Sequence, residues 1–165
     1  MKKTLFILLT AVLILTASFA LADDGLGALP QTAPAAAEPG QAQAEAAVLK
    51  EFPNAVIHYS LHDYDDGRPE WNVFFTDGTF IGECEVHAET FEIRKIRTYD
   101  RPADALTADK AVEALIAQKG ALTVTDLELD RDDGQLWYEG DVELNGRRYE
   151  FEMTAAGRIV EWERD

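Results

Sequence analysis

The sequence predicts an α+β protein of two tandem repeats, each with one N-terminal helix packed on a four-stranded antiparallel sheet. Alternating apolar and polar residues flank Asn145-Gly146, a dipeptide typical of two-residue hairpin loops. A segment with apolar residues at helical spacing precedes each run of predicted strands. An Asp-Asp-Gly turn occurs in each half, and its glycines, Gly67 and Gly134, lie 67 positions apart. This spacing indicates internal duplication.

The first repeat is predicted over residues 44–101, and its helix over residues 43–52, where Pro53 follows and ends it. Strands are predicted over residues 56–64, 70–76, 79–86 and 91–98. Alternation places Ile57, Tyr59 and Leu61 on one face of the first strand. Turn signals at Asp65-Asp66-Gly67 and Asp77-Gly78 separate the first three strands.

The second repeat is predicted over residues 102–165, with a helix between an N-cap at Thr107 and a C-terminal stop at Gly120. Strands are predicted over residues 122–129, 136–144, 147–153 and 158–163. The alternation slips near Thr125 and Asp126, which predicts a β-bulge. The inner face of the hairpin around the Asn-Gly turn is predicted to hold Leu136, Tyr138, Val142, Leu144, Tyr149, Phe151 and Met153.

The N-terminus has the layout of a secretory signal peptide over residues 1–22. Lys2 and Lys3 precede an apolar run, and Ala20-Leu21-Ala22 is a small-x-small cleavage site. An uncleaved membrane anchor is the alternative. Residues 23–43 are rich in Ala, Pro, Gly and Gln and predict a flexible linker. We therefore expect a secreted, periplasmic or cell-envelope protein without a stable membrane anchor after cleavage.

The chain is strongly acidic, with 15 Lys plus Arg against 31 Asp plus Glu and a net charge of −16. Loss of two lysines with the signal peptide would make it −18. This charge argues against nucleic-acid partners and against anionic membrane surfaces. It is compatible with a basic protein partner, with weak cation binding, or with solubility alone. Cys84 is the single cysteine, so no intrachain disulfide forms, and its strand position predicts a buried thiol.

Neither the histidines nor the acidic turns predict a metal or cofactor site. His58 and His62 are four positions apart on a strand, which separates them by roughly 13 Å. The residues before Gly67 and Gly134 do not match the ligand spacing of a calcium-binding EF-hand loop. Weak calcium binding by the acidic surface stays open as an alternative.

The sequence contains no nucleophile motif of the type G-x-S-x-G, no H-E-x-x-H and no phosphate-binding glycine loop. It therefore predicts a protein that is not an enzyme. The remaining candidate is the sheet face opposite each helix, predicted to be open and acidic. Aromatic side chains among charges are typical of binding surfaces. The candidate partner-binding residues are Phe74, His58, His62, Trp137, Glu139 and Asp141. In the alternative interpretation, Phe74 and Trp137 pack against the other repeat or a helix end.

The motif order resembles that of the PepSY family from about Ala44 to the end of the chain. The second repeat carries the resemblance in Ala111-Val112, Leu115, Asp133-Gly134, Tyr138, Val142 and Thr154 to Ile159. The first repeat carries it in Ala47-Val48, Asp66-Gly67, Trp71 to Val73 and His87 to Ile93. Phe91 departs from the family pattern by replacing a usual glycine, His87 and Thr154 replace a common aspartate, and Trp71 replaces a tyrosine.

The resemblance implies a non-catalytic module that restrains or regulates an exported peptidase. Tandem domains of this kind are also similar in shape to β-lactamase inhibitory proteins. We therefore expect a secreted binding module that engages a protein partner through its open acidic sheet face. An envelope protein that binds calcium or other cations is the alternative. The sequence does not indicate an oligomeric state.

Overall fold

The structure is a computed structural model, and it describes residues 38–165 apart from Asp66. The first repeat consists of α1 (Gln41–Glu51), β1 (Val56–Asp65), β2 (Arg68–Asp77), β3 (Phe80–His87) and β4 (Ile93–Asp100). The second consists of α2 (Ala108–Lys119), β5 (Thr123–Asp132), β6 (Gln135–Leu144), β7 (Arg147–Thr154) and β8 (Ile159–Arg164). Strands β1 to β4 form sheet 1 and β5 to β8 form sheet 2, both antiparallel and in chain order. The predicted α+β fold of two repeats is confirmed.

The predicted signal peptide, residues 1–22, lies outside the described residues, as does the predicted linker up to residue 37. Within the described part of the chain, no helix is long and apolar enough to span a bilayer. Helix α1 begins at Gln41, so residues 41–43, predicted as the end of the linker, belong to the helix.

Each helix buries a stripe of apolar side chains. Helix α1 buries Ala44 and Val48, which are one turn apart. Helix α2 runs from an N-cap at Thr107 to Gly120, as predicted, and buries Ala108, Ala111 and Leu115. Ile116, which follows Leu115, is 41 % exposed because it lies at the margin of the buried face.

The Asn145-Gly146 turn forms as predicted. Leu144 pairs with Arg147, and Asn145 and Gly146 both have left-handed backbone, with φ of 54° and 71°. These angles match the twist of the flanking strands in a two-residue loop. Phe91 is also left-handed, with φ of 56°. A glycine at this position would avoid that strain.

The register shifts in all four edge strands, β1, β4, β5 and β8, and the shifts in β4 and β8 lie at Arg94 and Val160. In β5 the register shifts between Val124 and Asp126, as predicted. In β1 it shifts between Ile57 and Tyr59, which the sequence did not predict. The prediction that Ile57, Tyr59 and Leu61 share one face is therefore wrong. Ile57 packs beside α1, whereas the other two side chains pack against the second repeat.

Two hydrophobic cores result. The first lies between α1 and sheet 1 and consists of Ala44, Val48, Trp71, Val73, Phe75, Cys84 and Val86. The second lies between α2 and sheet 2, but it also contains Phe74 and Ile81 from the first repeat. The face of sheet 1 opposite α1, here called the outer face of sheet 1, is therefore covered in part by the second repeat. The prediction that this face is open is wrong.

The outer face of sheet 1 divides into an apolar end and a polar end. Tyr59, Leu61, Phe74, Ile81 and Tyr99 form the apolar end and pack into the second core. The polar end carries Glu70, Asn72 and Glu85, of which Asn72 and Glu85 are direct partners across β2 and β3. The apolar end fixes the second repeat against the first, and the polar end forms one wall of the cleft described below.

Candidate functional site: the acidic face and the cleft between the repeats

The face of sheet 2 opposite α2, here called the acidic face, carries two rows of carboxylates. Each row crosses all four strands, and neighbours in a row are direct cross-strand partners. The first row is Glu128, Glu139, Glu152 and Glu161. The second row is Asp126, Asp141, Glu150 and Glu163. Like charges directly opposite each other destabilise a sheet, so the acidic face lowers the stability of the fold.

The electrostatic effect of the rows is visible at Glu139. Burial raises the pKa of Glu139, and the carboxylates of Glu152, Asp130 and Glu128 raise it further. The guanidinium of Arg148 offsets part of the second row, because its Nη2 lies 2.5 Å from Asp141 Oδ2. The acidic face is therefore a surface of strong negative potential that is only partly neutralised within the chain.

Three of the six predicted partner-binding residues lie together on this face. Trp137, Glu139 and Asp141 occupy alternate positions of β6 and are each partly exposed. Phe74 is 2 % exposed and lies in the second core, so the prediction that it stands on an open face is wrong. The other repeat covers it, as the alternative interpretation held for Phe74.

The two predicted histidines lie elsewhere. His58 sits at the β1 bulge, with Nε2 2.8 Å from Thr76 Oγ1 and Nδ1 3.8 Å from Asp109 Oδ1. Burial lowers the pKa of His58, and Asp109 opposes this shift. The ring of His62 lies 4.9 Å from that of Trp71, on the α1 side of sheet 1. The described residues include no group of three or more His, Cys, Asp or Glu that could hold a metal ion.

A cleft of about 550 Å³ opens between the two repeats. Its wall on the first repeat includes Asp63, Asn72 and Glu85, and its wall on the second includes Asp126 and Glu128. The last two residues also belong to the rows of the acidic face. The cleft and the acidic face are therefore one continuous surface.

Arg97 joins the two repeats at the floor of the cleft. Its Nη1 donates to Glu83 Oε1 at 3.0 Å and lies 2.9 Å from Glu85 Oε1, while its Nη2 donates to Glu128 Oε2 at 2.9 Å. Glu83 also accepts a 2.8 Å hydrogen bond from the Leu129 backbone N–H. Burial raises the pKa of Glu83 to about 8, and the Leu129 N–H and Arg97 act in the opposite direction.

Asp126 is held beside other carboxylates. Its pKa is raised to about 6, chiefly by burial and then by the carboxylates of Asp63, Glu128 and Asp141, while the Leu127 N–H acts in the opposite direction. Among the described residues, no Lys, Arg or His nitrogen lies within 4.0 Å of the carboxylates of Asp63 or Asp126. These two carboxylates are therefore acceptors without a direct ion pair among the described residues, and Arg148 acts on Asp126 only from a greater distance.

Asn72 adds a further acceptor to the cleft. Its side chain is 3 % exposed, and Oδ1 is buried with no hydrogen-bond partner among the described residues. A buried polar atom without a partner is rare in folded proteins and destabilises them by roughly 1–3 kcal/mol. Hydrogen-bond acceptors thus converge on the cleft, which suits a ligand that donates hydrogen bonds and carries positive charge.

The sequence-based candidates did not include Asn72, Glu83, Glu85 or Arg97. One signal was present, because Glu83 stands between Gly82 and Cys84 in a strand of small and apolar residues. A carboxylate in such a strand indicates a buried ion pair. The pairing with the second repeat has no signature in the sequence.

Comparison with protein families identifies both repeats. The profile of the PepSY family, described as the peptidase propeptide and YPEB domain, matches residues 40–97 and 105–163. The chain belongs to the PepSY family. The two matched segments coincide with the two helix-plus-sheet repeats. No curated protein matches the sequence.

Among solved structures, a candidate lipoprotein from Clostridium difficile 630 is 15 % identical over 74 % of this chain and 90 % of its own, with a TM-score of 0.41. A DUF2874 family protein from Bacteroides uniformis is 15 % identical over 74 % and 88 %, with a TM-score of 0.32. A candidate periplasmic protein from Bacteroides eggerthii is 13 % identical over 74 % and 86 %, with a TM-score of 0.31. At these TM-scores the likeness adds nothing to the family match.

Proposed function

We propose that this PepSY protein is an exported, non-catalytic binding module that restrains or regulates a peptidase. The family description connects PepSY domains with peptidase propeptides. Two such modules in tandem provide the scaffold, and the acidic face with Trp137 provides the contact surface. The described surface offers carboxylates and aromatic groups for recognition.

The observation that carries the proposal is the pair of carboxylate rows on sheet 2. Cross-strand repulsion within the rows lowers the stability of the free protein. A partner with a basic surface relieves that repulsion and gains complementary charge, which favours fast and specific association. Trp137, partly exposed beside the first row, supplies the aromatic contact typical of interface centres.

The test measures binding and inhibition together. The full chain is titrated into exported peptidases purified from the same medium or envelope fraction, and turnover and dissociation constants are recorded. We expect binding with reduced turnover, and an affinity that falls as NaCl rises. Glu139→Gln with Asp141→Asn weakens binding about tenfold. The matched pair Glu89→Gln with Glu92→Gln, on an exposed turn of the first repeat, leaves it unchanged. If no peptidase binds the protein and none loses turnover in its presence, the proposal is contradicted.

The alternative function, cation binding in the cell envelope, is supported by the same rows, because neighbouring carboxylates attract divalent cations. Calorimetric titration of the full chain with CaCl₂ tests it. Heat of binding and a rise in melting temperature support this alternative. A flat titration with an unchanged melting temperature contradicts it.

A further inference from the structure

The chemistry of the cleft identifies which group of a partner it suits, an inference that rests on the proposed function. The basic side chains on its walls are already engaged within the chain. Arg97 contacts three carboxylates, Lys95 Nζ lies 3.0 Å from Glu85 Oε1, and Arg148 contacts Asp141 and Asp165. Among the described residues, the carboxylate and amide acceptors of the lining without an ion pair or hydrogen bond to a side chain are Asp63, Asp126 and Asn72 Oδ1. The negative charge of the two carboxylates repels an anionic ligand.

The acceptors lie on both walls. Asp63 and Asn72 belong to the outer face of sheet 1, where they are diagonal neighbours across β1 and β2. Asp126 faces them from β5. The buried Oδ1 of Asn72 needs a hydrogen-bond donor, and two carboxylates beside it need a positive charge. A donor that is also a cation satisfies all three groups.

An organic cation fits this arrangement better than a metal ion. No described group of three His, Cys, Asp or Glu side chains is placed for metal coordination. The volume of about 550 Å³ far exceeds that of a single ion and accommodates a long side chain. Tyr64, 65 % exposed, lines the cleft and offers a ring for an aliphatic stem or a cation.

We propose that the cleft receives a lysine or arginine side chain of the protein partner, with its cation between Asp63 and Asp126 and a hydrogen bond donated to Asn72 Oδ1. Because Asp126 and Glu128 also belong to the acidic face, further basic residues of the same segment lie along the carboxylate rows. The partner segment is therefore a basic peptide stretch with one side chain inserted between the repeats.

Protonation of Asp126 opposes this binding. Asp126 is faced by Asp63 from β1, Asp141 from β6 and Arg148 from β7, with Glu128 on its own strand. Its pKa of about 6 means that the carboxylate is neutral in more acidic solution. We expect the affinity for the cation to fall as the pH drops below 6.

The test uses two capped dodecapeptides that differ at four positions, with arginine in one and the neutral isostere citrulline in the other. Each is titrated into the full chain by calorimetry at low ionic strength. We expect the citrulline peptide to bind at least about tenfold more weakly. Equal affinities overturn the inference.

Variants locate the site. Asp126→Asn and Asn72→Leu each weaken binding of the arginine peptide about tenfold, and Glu92→Gln leaves it unchanged. Asn72→Leu removes an unpaired buried acceptor, so it keeps or raises the melting temperature while it weakens binding. This combination separates a binding role from a folding role. Unchanged peptide affinity in Asn72→Leu overturns the inference.

The remaining outcomes distinguish this inference from the proposed function. If cleft variants bind the peptide normally while Glu139→Gln with Asp141→Asn does not, the inference fails and the acidic face remains the binding surface. If neither peptides nor peptidases bind, both fail. If CaCl₂ alone gives a heat that Asp126→Asn abolishes and the arginine peptide gives none, the cleft is a cation site and the inference is overturned.

Discussion

At the scale of single residues, Gly140 shows how one position permits the bulge in β5. It pairs with Leu127, just after the register shift, and its φ is 154°. A Cβ added there would lie 2.2 Å from the Asp126 carbonyl oxygen and 3.0 Å from Leu127 Cα. Both neighbours are backbone atoms in a hydrogen-bonded sheet, so neither is free to move aside.

We expect Gly140→Ala to lower the free energy of unfolding by about 2–4 kcal/mol, because the clash is with backbone. Gly146→Ala is the matched control, since Gly146 also has positive φ, 71°, but no atom within 4 Å of the added Cβ. The free energy of unfolding of the control should fall by only about 1 kcal/mol. Urea unfolding of both variants measures the difference. Equal losses would show that the bulge does not depend on the close approach at Gly140.

Glu83 predicts a pH dependence of stability. Its pKa is about 8 in the folded chain against an ordinary 4.5, because burial favours the neutral acid. Between these values the folded state holds a proton that the unfolded state has lost. The free energy of unfolding therefore falls as the pH rises through this range, by as much as about 4 kcal/mol.

Urea unfolding at pH 5, 6, 7 and 8 checks this, with Glu83→Gln as the comparison. The glutamine variant should lack this part of the slope because its side chain does not titrate. His58 and Asp126 titrate in both proteins, so their contributions to the pH dependence cancel when the two curves are subtracted. If the free energy of unfolding of the wild type falls with pH no more steeply than that of the variant, Arg97 and the Leu129 N–H hold Glu83 ionised instead.

At the scale of secondary-structure elements, strand β2 is covered on both faces. Trp71, Val73 and Phe75 face α1, whereas Phe74 enters the second core. Alternation separates Phe74 from these three residues, and the sequence assigned Phe74 to an open face. The error has a physical cause. The residues on the same face of the strand, Asn72 and Thr76, are polar, and this pattern is the same whether solvent or another repeat covers the aromatic side chain.

Phe74→Ala should lower the free energy of unfolding by about 3–5 kcal/mol, since it leaves a cavity between the repeats. Phe80→Ala is the control, because it makes the same substitution at a residue that is 47 % exposed. Its free energy of unfolding should fall by about 1 kcal/mol or less. Denaturant unfolding provides both values. Similar small losses in the two variants would show that the second repeat does not pack on Phe74 in solution.

The bulges in β5 and β1 show what alternation reveals about an element. In β5 the pattern of Thr123 to Leu129 slips visibly, so the bulge could be predicted. In β1 the residues around His58 alternate without a break, and the register shift follows from packing on two sides. A bulge changes which face a side chain occupies, so its position decides which core receives Tyr59 and Leu61.

At the scale of the whole molecule, the shared second core predicts that the repeats unfold together. Trp137→Phe with Trp162→Phe leaves Trp71 as the reporter of the first repeat, and Trp71→Phe leaves reporters in the second. In each variant the fluorescence transition in urea should coincide with that of circular dichroism. Separate transitions in either variant would show that the repeats are independent.

The acidic face predicts that salt stabilises the free protein. Raising NaCl from 20 mM to 500 mM screens the two carboxylate rows and should raise the melting temperature by on the order of 5 °C. Glu139→Gln with Asp141→Asn should have a smaller salt response because it removes one charge from each row. A melting temperature that falls with salt would mean that attractive pairs such as those of Arg97 dominate.

The sequence by itself determined the local structure of this protein: the helix and strand order, the duplication, the Asn145-Gly146 turn, the β5 bulge and the carboxylates on the acidic face. Alternation and turn chemistry encode these features because they depend on residues close together in the chain. Only the tertiary structure decided that the second repeat covers the outer face of sheet 1. That packing buries Phe74 and Glu83 and leaves the Asn72 acceptor in a cleft. Which face of a sheet meets solvent depends on residues far away in the sequence. The alternation of apolar and polar residues within one strand does not depend on those residues, so it cannot predict which face they cover.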